Sequence, residues 1–405
     1  MTRNGSWAVL YVLTACEPKN IRYPGAPAAD GDDSRDSAGE SGVDSGVPAE
    51  DTGPCSGDET REGDVTLADQ AEIDAFCAGS CTVQVTGTLE IQNTDATNLV
   101  GLSCLTFAGS VVILDNDALT SLVGLDALGR VGDEEETGGG QGGDLYILDN
   151  DSLLDLQGLG AVDTVGGRLI IDANAALTSL EGLDLLRGVT GGVYIDGNHG
   201  LTSLAGLEGL AWVESPVYIG SDYSAWGTPA GEGNDGLTSL AGLATTWAVP
   251  GLWVQFNDGL TSMAGFDVAS TSELYVEHNA GLVSLDGMEG LTSLGYLVLE
   301  DNASLADISA LSTLDQIGGF QFTGNPSLES LGGLDNLTVV GSDWGGCVCL
   351  TGNTALTDVR ALYGVTFAYY ALITDNTALP TAKAQALVDE IDLLATGYWI
   401  DGNAP

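Results

Sequence analysis

Apolar positions recur along this chain in two different periods within one repeating unit. Around Gly167 the unit reads Arg168, Leu169, Ile170, Ile171, Asp172, Ala173 and Asn174, then Leu177, Leu180, Leu183, Leu186 and Val189. Equivalent stretches surround Asn116, Asn150, Asn198, Asn234, Asn257, Asn279, Asn302, Asn325, Asn353, Asn376 and Asn403, at a spacing of 22 to 24 residues where nothing is inserted. Residues five and three before each Asn are apolar, as in Val111 and Ile113 or Phe320 and Phe322, which predicts a short strand with one buried face. After the Asn, apolar residues come at every third position, as in Leu119, Leu122, Leu125, Leu128 and Val131. That spacing fits neither a helix of period 3.6 nor a strand of period 2. A Gly before the third Leu, at Gly124, Gly182, Gly206 and Gly242, argues further against a helix.

A chain that returns to the same strand on every turn satisfies both periods. The pattern predicts an all-β solenoid of about twelve coils, stacked ~4.8 Å apart into a rod of roughly 55 Å. Each coil would hold one regular strand, an Asn corner and two irregular sides that drop Leu inward. The Asn amide should turn inward, because it offers both donors and an acceptor to corner backbone groups of neighbouring coils. The Thr-Ser pairs that follow, such as Thr120 and Ser121 or Thr238 and Ser239, read as an outward polar ladder. The open ends need lids. Thr66 to Asp69 predicts the start of a short helix reaching Phe76, within an N-terminal cap over 63–81. Pro380, followed by Ala384, Leu387, Val388, Ile391 and Leu394 on one face, predicts a C-terminal cap helix over 381–394.

The unit Gly-x-Leu-x-Ile-x-x-Asn-x-x-Leu-x-x-Leu, repeated over residues 82 to 403, resembles the receptor L-domain. This is the leucine-rich-repeat-like, right-handed parallel β-helix of growth-factor receptor ectodomains and many bacterial surface proteins. The resemblance implies that fold and a non-catalytic role in recognition. Its members bind different ligands through variable surfaces, so it carries over no binding residue. Ala371 and Tyr398 depart from the first Leu of the pattern.

Ahead of the repeats lie Arg3, an apolar run from Trp7 to Leu13, and then Thr14, Ala15 and Cys16. Leu13 to Cys16 resembles the bacterial lipobox, which implies a signal peptide over 1–15, cleavage before Cys16 and a lipid on its sulfur. Residues 16–62 are rich in Gly, Ser, Pro, Ala and acid. Such a segment buries too little surface to offset its ordering entropy and is expected to be a disordered stalk with a reach of roughly 40 Å. The expected organisation is therefore signal peptide, lipidated acidic stalk and one solenoid over 63–405. Its expected place is the bacterial cell envelope, at the outer membrane or cell surface.

Charge narrows the function. Ten Lys and Arg stand against 58 Asp and Glu, a net −48, so no basic surface exists to neutralise nucleic-acid phosphates. The only histidines are His199 and His278, which leaves too little for a Ser/His/Asp relay or a His-based metal site spread along the chain. No catalytic residue and no cofactor is expected. Seven Cys less Cys16 leave an even six, as suits an oxidising compartment. Cys55, Cys77, Cys81 and Cys104 are expected to form two bridges at the cap, with all three pairings open. Cys347 and Cys349 flank the inward Val348, so both thiols should point outward, as a local disulfide or a free dithiol.

Candidate binding groups remain. Asp115, Asp149, Asp172 and Asp196 accompany the corner Asn residues, as do Asp117, Asp151, Asp301, Asp375 and Asp401. Carboxylates repeating at coil spacing suit weak Ca²⁺ binding, or else form only a solvated acidic face. Insertions at Asp133–Gly143, Gly220–Gly233 and Ser342–Gly346 mark loops of the kind that carry function, and Trp247 and Trp344 are further candidates for contact. Tyr146, Tyr194, Tyr218, Trp253, Tyr275 and Tyr296 are expected to align four residues before the corner as an outward aromatic stripe. Tyr194, Tyr223, Trp226, Trp253 and Tyr275 are the ligand-surface candidates. The expected function is a surface-displayed lipoprotein that recognises a protein or glycan. The alternative is a structural or cation-binding acidic envelope protein. Changing Cys16→Ser should move the chain from the membrane to the soluble fraction of its native host; an unmodified chain found soluble there would overturn the lipid anchor.

Overall fold

The computed structural model describes residues 55, 57–132, 143–220, 233–245, 250–341, 346–393 and 397–405. Gly53–Pro405 forms one compact unit. It is an all-β parallel solenoid of about 13 turns. Its main sheet runs in chain order from Thr82–Gln92 through Leu105–Leu114, Leu145–Leu148, Leu169–Asp172 and Val193–Asp196 to Tyr398–Asp401, and every pairing is parallel. The residues spaced by three after each Asn all point into the coil, and Leu119, Leu122, Leu125, Leu128 and Val131 are fully buried.

A second wall precedes the main one. Two-residue strands such as Arg130–Val131, Thr164–Val165, Gly188–Val189 and Trp212–Val213 pair from coil to coil. Gln316–Ile317, Val339–Val340, Phe367–Ala368 and Asp392–Leu393 do the same further on. Two residues are too few to show a period, so this wall leaves no trace in the hydrophobic pattern.

The corner is built from two adjacent residues. From Asn116 to Asn376 the ladder Asn residues are completely buried. Asn257 is representative. Its Nδ2 donates to Ile219 O at 2.8 Å and Gln255 O at 2.7 Å, while its Oδ1 accepts from Asn234 N at 3.2 Å. Its own N–H donates to Asn279 Oδ1 at 3.0 Å, which hands the pattern to the next coil. The residue before each ladder Asn is left-handed, with φ between +52° and +69° from Asp115 to Gly402. Gly, Asn and Asp tolerate that region best, which explains the recurring Asp-Asn and Gly-Asn pairs.

Another left-handed position lies eight residues after the corner. Gly182 there has φ +114°, and a Cβ would collide with Leu156 O of the preceding coil. Where Ala replaces this Gly, at Ala310 and Ala361, the side becomes a 3-10 turn instead, over Ser309–Thr313 and Arg360–Gly364. The Thr-Ser pairs lie outward as expected; Thr238 Oγ1 donates to Thr202 O and Ser239 Oγ to Ala264 O.

The caps differ from expectation in their bounds. Helix α1 spans Gln70–Ala75, starting four residues beyond Thr66, because Val65–Leu67 instead pairs with Leu89–Ile91. Asp69 caps it, accepting from Glu72 N, and Glu72 accepts from Ala68 N. The expected stalk also ends too late: Asp58–Arg61 is a strand paired with Thr82–Val85. The Cys55–Cys81 and Cys77–Cys104 bridges resolve the pairing and tie this segment down. Helix α2, Thr381–Glu390, closes the other end with Ala384, Leu387 and Val388 buried. It stops short of 394 because Asp392–Leu393 joins the second wall. Leu394, Cys16 and residues 16–54 lie outside the described residues.

Truncating one ladder side chain orphans several buried backbone groups, each of which costs about 1–3 kcal/mol. Asn257→Ala should therefore destabilise the solenoid by about 3 kcal/mol or more in urea unfolding. Exposed Thr261→Ala should change it by less than about 0.5 kcal/mol; equal effects would show that the ladder is not the main tie between coils.

Candidate functional site

The outer face of the main sheet collects most of the candidate residues. Register places Val112, Tyr146, Ile170, Tyr194, Tyr218, Trp253, Tyr275 and Val298 in one outward column. Four of these rings form an unbroken stack. Tyr194 lies 4.8 Å from Tyr218, Tyr218 4.8 Å from Trp253, and Trp253 4.7 Å from Tyr275, centroid to centroid. The strand spacing of a parallel sheet dictates that repeat. All four are half-buried; faces meet faces along the column, and the Tyr194 and Trp253 rings also lie over Gly192 and Gly251 of their own strands.

Two expected members stand apart. Tyr296 is opposite Glu273 and Gly319, two residues out of register; Val298 takes the place beside Tyr275. The strand Ser293–Glu300 begins early enough to include that extra pair. Tyr146 is in the column but buried, and Ile170 separates it from Tyr194. It packs with Leu148 and Ile170 in a small apolar cluster on the outer face.

A polar knot closes that end of the stack. Asp144 accepts from Arg168 N at 2.6 Å and from the Arg168 guanidinium at 2.8 Å. The Tyr146 hydroxyl donates to Asp144 and accepts from Arg168. Burial alone would raise the Asp144 carboxyl, but the side-chain and backbone hydrogen bonds of Arg168 hold it below its ordinary value. Burial, followed by the neighbouring Asp144, pushes the Tyr146 hydroxyl up. The knot was not legible in the sequence, since Asp144 and Arg168 meet only through coil register.

The acidic residues near the corner do not form the single expected column. Asp115, Asp149, Asp301 and Asp375 occupy the left-handed corner position. Asp172 and Asp196 lie on the strand instead, in register with each other, and are buried. Ala173 and Gly197 take their corners. The sequence signal for this was the residue type itself: Asp precedes Asn where φ must be positive. Asp115 and Asp149 do converge with Asp117 and Asp151, and Asp149 is raised above the ordinary carboxylate value by partial burial and then by these three charges.

Cys347 and Cys349 form the local disulfide, one of the two expected alternatives, and both are buried although they flank the inward Val348 as expected. Cys349 does occupy the outer column between Gln321 and Leu372, and so short a side chain is shielded by longer neighbours. Tyr223, Trp226, Trp247 and Trp344, with most of the three insertions, lie outside the described residues. A comparison with protein-family models and with curated proteins finds no match.

Asp149 carries a sign that can be tested. Its folded carboxyl holds its proton more tightly than the ordinary value of 3.8. Its contribution to stability is thus fully present below that value and is lost as pH rises through the folded pKa. Asn tolerates the same positive φ. Asp149→Asn should raise the melting temperature at pH 7 by roughly 1–2 °C, with the gain fading below pH 4; an unchanged melt at pH 7 would mean that salt and water already quench the repulsion.

Proposed function

We propose that this chain is a non-catalytic recognition module that presents the outer face of its main sheet to a protein or glycan. The carrying observation is the stack of Tyr194, Tyr218, Trp253 and Tyr275, half-exposed and held at 4.7–4.8 Å by the backbone. Half-exposed aromatics on a rigid scaffold give large contact area at low entropic cost. Ring faces are occupied by neighbouring rings, so a partner meets ring edges. That geometry favours edge packing along the sheet over stacking of a sugar ring on an open aromatic face.

The same proposal takes the solenoid as L-domain-like and the chain as a lipoprotein anchored through Cys16 in a bacterial envelope. The signal-peptide and lipobox pattern and the acidic segment behind it support that placement. Tyr223 and Trp226, from the insertion after Val217–Ile219, belong to the same proposal as ligand-surface residues.

A second reading has its own support. Burial, and then the neighbouring charges of Asp115, Asp151 and Asp117, raise the Asp149 carboxyl, which supports a structural or cation-binding acidic envelope protein. One experiment separates the two. Replacing Tyr194, Trp253 and Tyr275 together with Ser, and probing protein and glycan arrays, should abolish a discrete, salt-resistant interaction. Each stacked pair adds about 0.5–1.5 kcal/mol, so melting is measured in parallel. Lost stability with unchanged binding would sink the recognition surface, and binding that is salt-sensitive and indifferent to the rings would favour the acidic-envelope reading.

A further inference from the structure

One corner of the solenoid brings together three side chains able to bind a metal, and they include one of the chain's two histidines. His278 occupies the left-handed position of its coil, and Asp301 the same position of the next, with φ +56° and +52°. Glu300 directly precedes Asp301 and is opposite Glu277 in register. One ligand atom from each of His278, Glu300 and Asp301 lies within 4.8 Å of the others, and among the described residues this is where such groups converge. His278 Nδ1 is 3.8 Å from Asp301 Oδ2.

These groups come from a rigid frame. His278 N–H donates to Glu300 O at 2.8 Å, which locks the two corners together. The imidazole stacks on Phe256 of the preceding coil at 4.7 Å and 17°, which fixes its plane. Gln321 Nε2 donates to Glu300 Oε2 at 3.4 Å, an outer contact that orients the carboxylate. On the far side, Asp301 Oδ1 is seated against Gly324, in the space that a Cβ there would take. A stacked imidazole, an oriented carboxylate and a second carboxylate seated against a glycine make a preorganised set rather than a random acidic patch.

We propose that His278, Glu300 and Asp301 bind one divalent transition-metal ion, of which Zn²⁺ is the probe. An imidazole nitrogen with carboxylate oxygens selects Zn²⁺ and its neighbours over Ca²⁺ and Mg²⁺, which prefer an all-oxygen shell. Ligand bonds of about 2.0–2.2 Å bring donors to roughly 3 Å from one another. The present separations therefore need only side-chain rotation, and the half-exposed position leaves further coordination places to water. This differs from the weak calcium binding considered for Asp115, Asp149, Asp172 and Asp196, both in residues and in ion.

The test is calorimetric titration of the full chain, stripped of metal by a chelator, with Zn²⁺ alone. One ion per chain with micromolar affinity is expected, and Ca²⁺ at the same concentration should not compete. His278→Asn and Asp301→Asn both suit a positive φ and should each weaken binding at least about tenfold, whereas His199→Asn, at the corner pair with Asp235, should leave it unchanged. Melting without metal shows that each variant is folded, and Glu300→Gln serves if either corner variant is not. Unchanged affinity in His278→Asn, equal competition by Ca²⁺, or weak unsaturable uptake shared by all variants would each overturn the site.

Discussion

The solenoid depends on the buried amide of one Asn per turn. A corner must reverse the chain without hydrogen bonds from a regular ladder, and a buried backbone group left unpaired costs about 1–3 kcal/mol. Asn174 answers this at three points, as most of the ladder does: its Nδ2 reaches a carbonyl of the preceding coil and one of its own, and its Oδ1 takes the N–H of the Asn before it. Asn198 and Asn234 make these contacts across 36 residues, and Asn279 and Asn302 make them across 23. The register of the stack is therefore set at the corner, and the length of chain between two corners is free to vary. Insertions are admitted wherever they leave that pair of residues intact.

The corner also decides where charge goes. A left-handed residue must precede every ladder Asn, and the chain fills the position with Gly or Asp at most turns. Ala173, Phe256 and His278 adopt the same φ, which is costly for ordinary side chains. They persist because the amide network on both sides over-determines the backbone. Asp is thus selected in part for conformation, and its charge accumulates as a consequence. Where Asp recurs in successive coils, as at Asp115 and Asp149, burial and then the neighbouring carboxylates raise the Asp149 carboxyl. Where His and Phe follow each other, as at Phe256 and His278, the same geometry stacks their rings.

This separates what the sequence disclosed from what it hid. Period-three Leu residues, the Asn column and the parallel coil were legible because each recurs a dozen times with the same neighbours. The three roles of Asp were not, because position −2, −1 and +1 from the Asn look alike until φ and register distinguish them. Tyr296 was misplaced for a simpler reason: it lies six residues before Asn302, and the residue four before that corner is Val298, which the register does place in the column. Cys349 shows the limit of alternation itself, since pointing outward does not mean reaching solvent. The Asp144–Tyr146–Arg168 knot depends on residues brought together by coil register alone, and no local pattern encodes it.

The outer face raises a different question, because alternation in a one-sided sheet normally puts polar residues outside. Here the outward column stays apolar or aromatic from Val112 to Val298. Stability accounts for part of this: β-branched and aromatic side chains favour pleated surfaces, and stacked pairs add their own attraction. Yet a protein needing only stability could place Val or Ile at every turn, as at Val112, Ile170 and Val298. Four consecutive large rings bury one another's faces but stay half-exposed. Stacking therefore uses the ring faces for the scaffold and reserves the edges for whatever lies alongside, so one column can serve both cohesion and contact without the two competing for the same atoms.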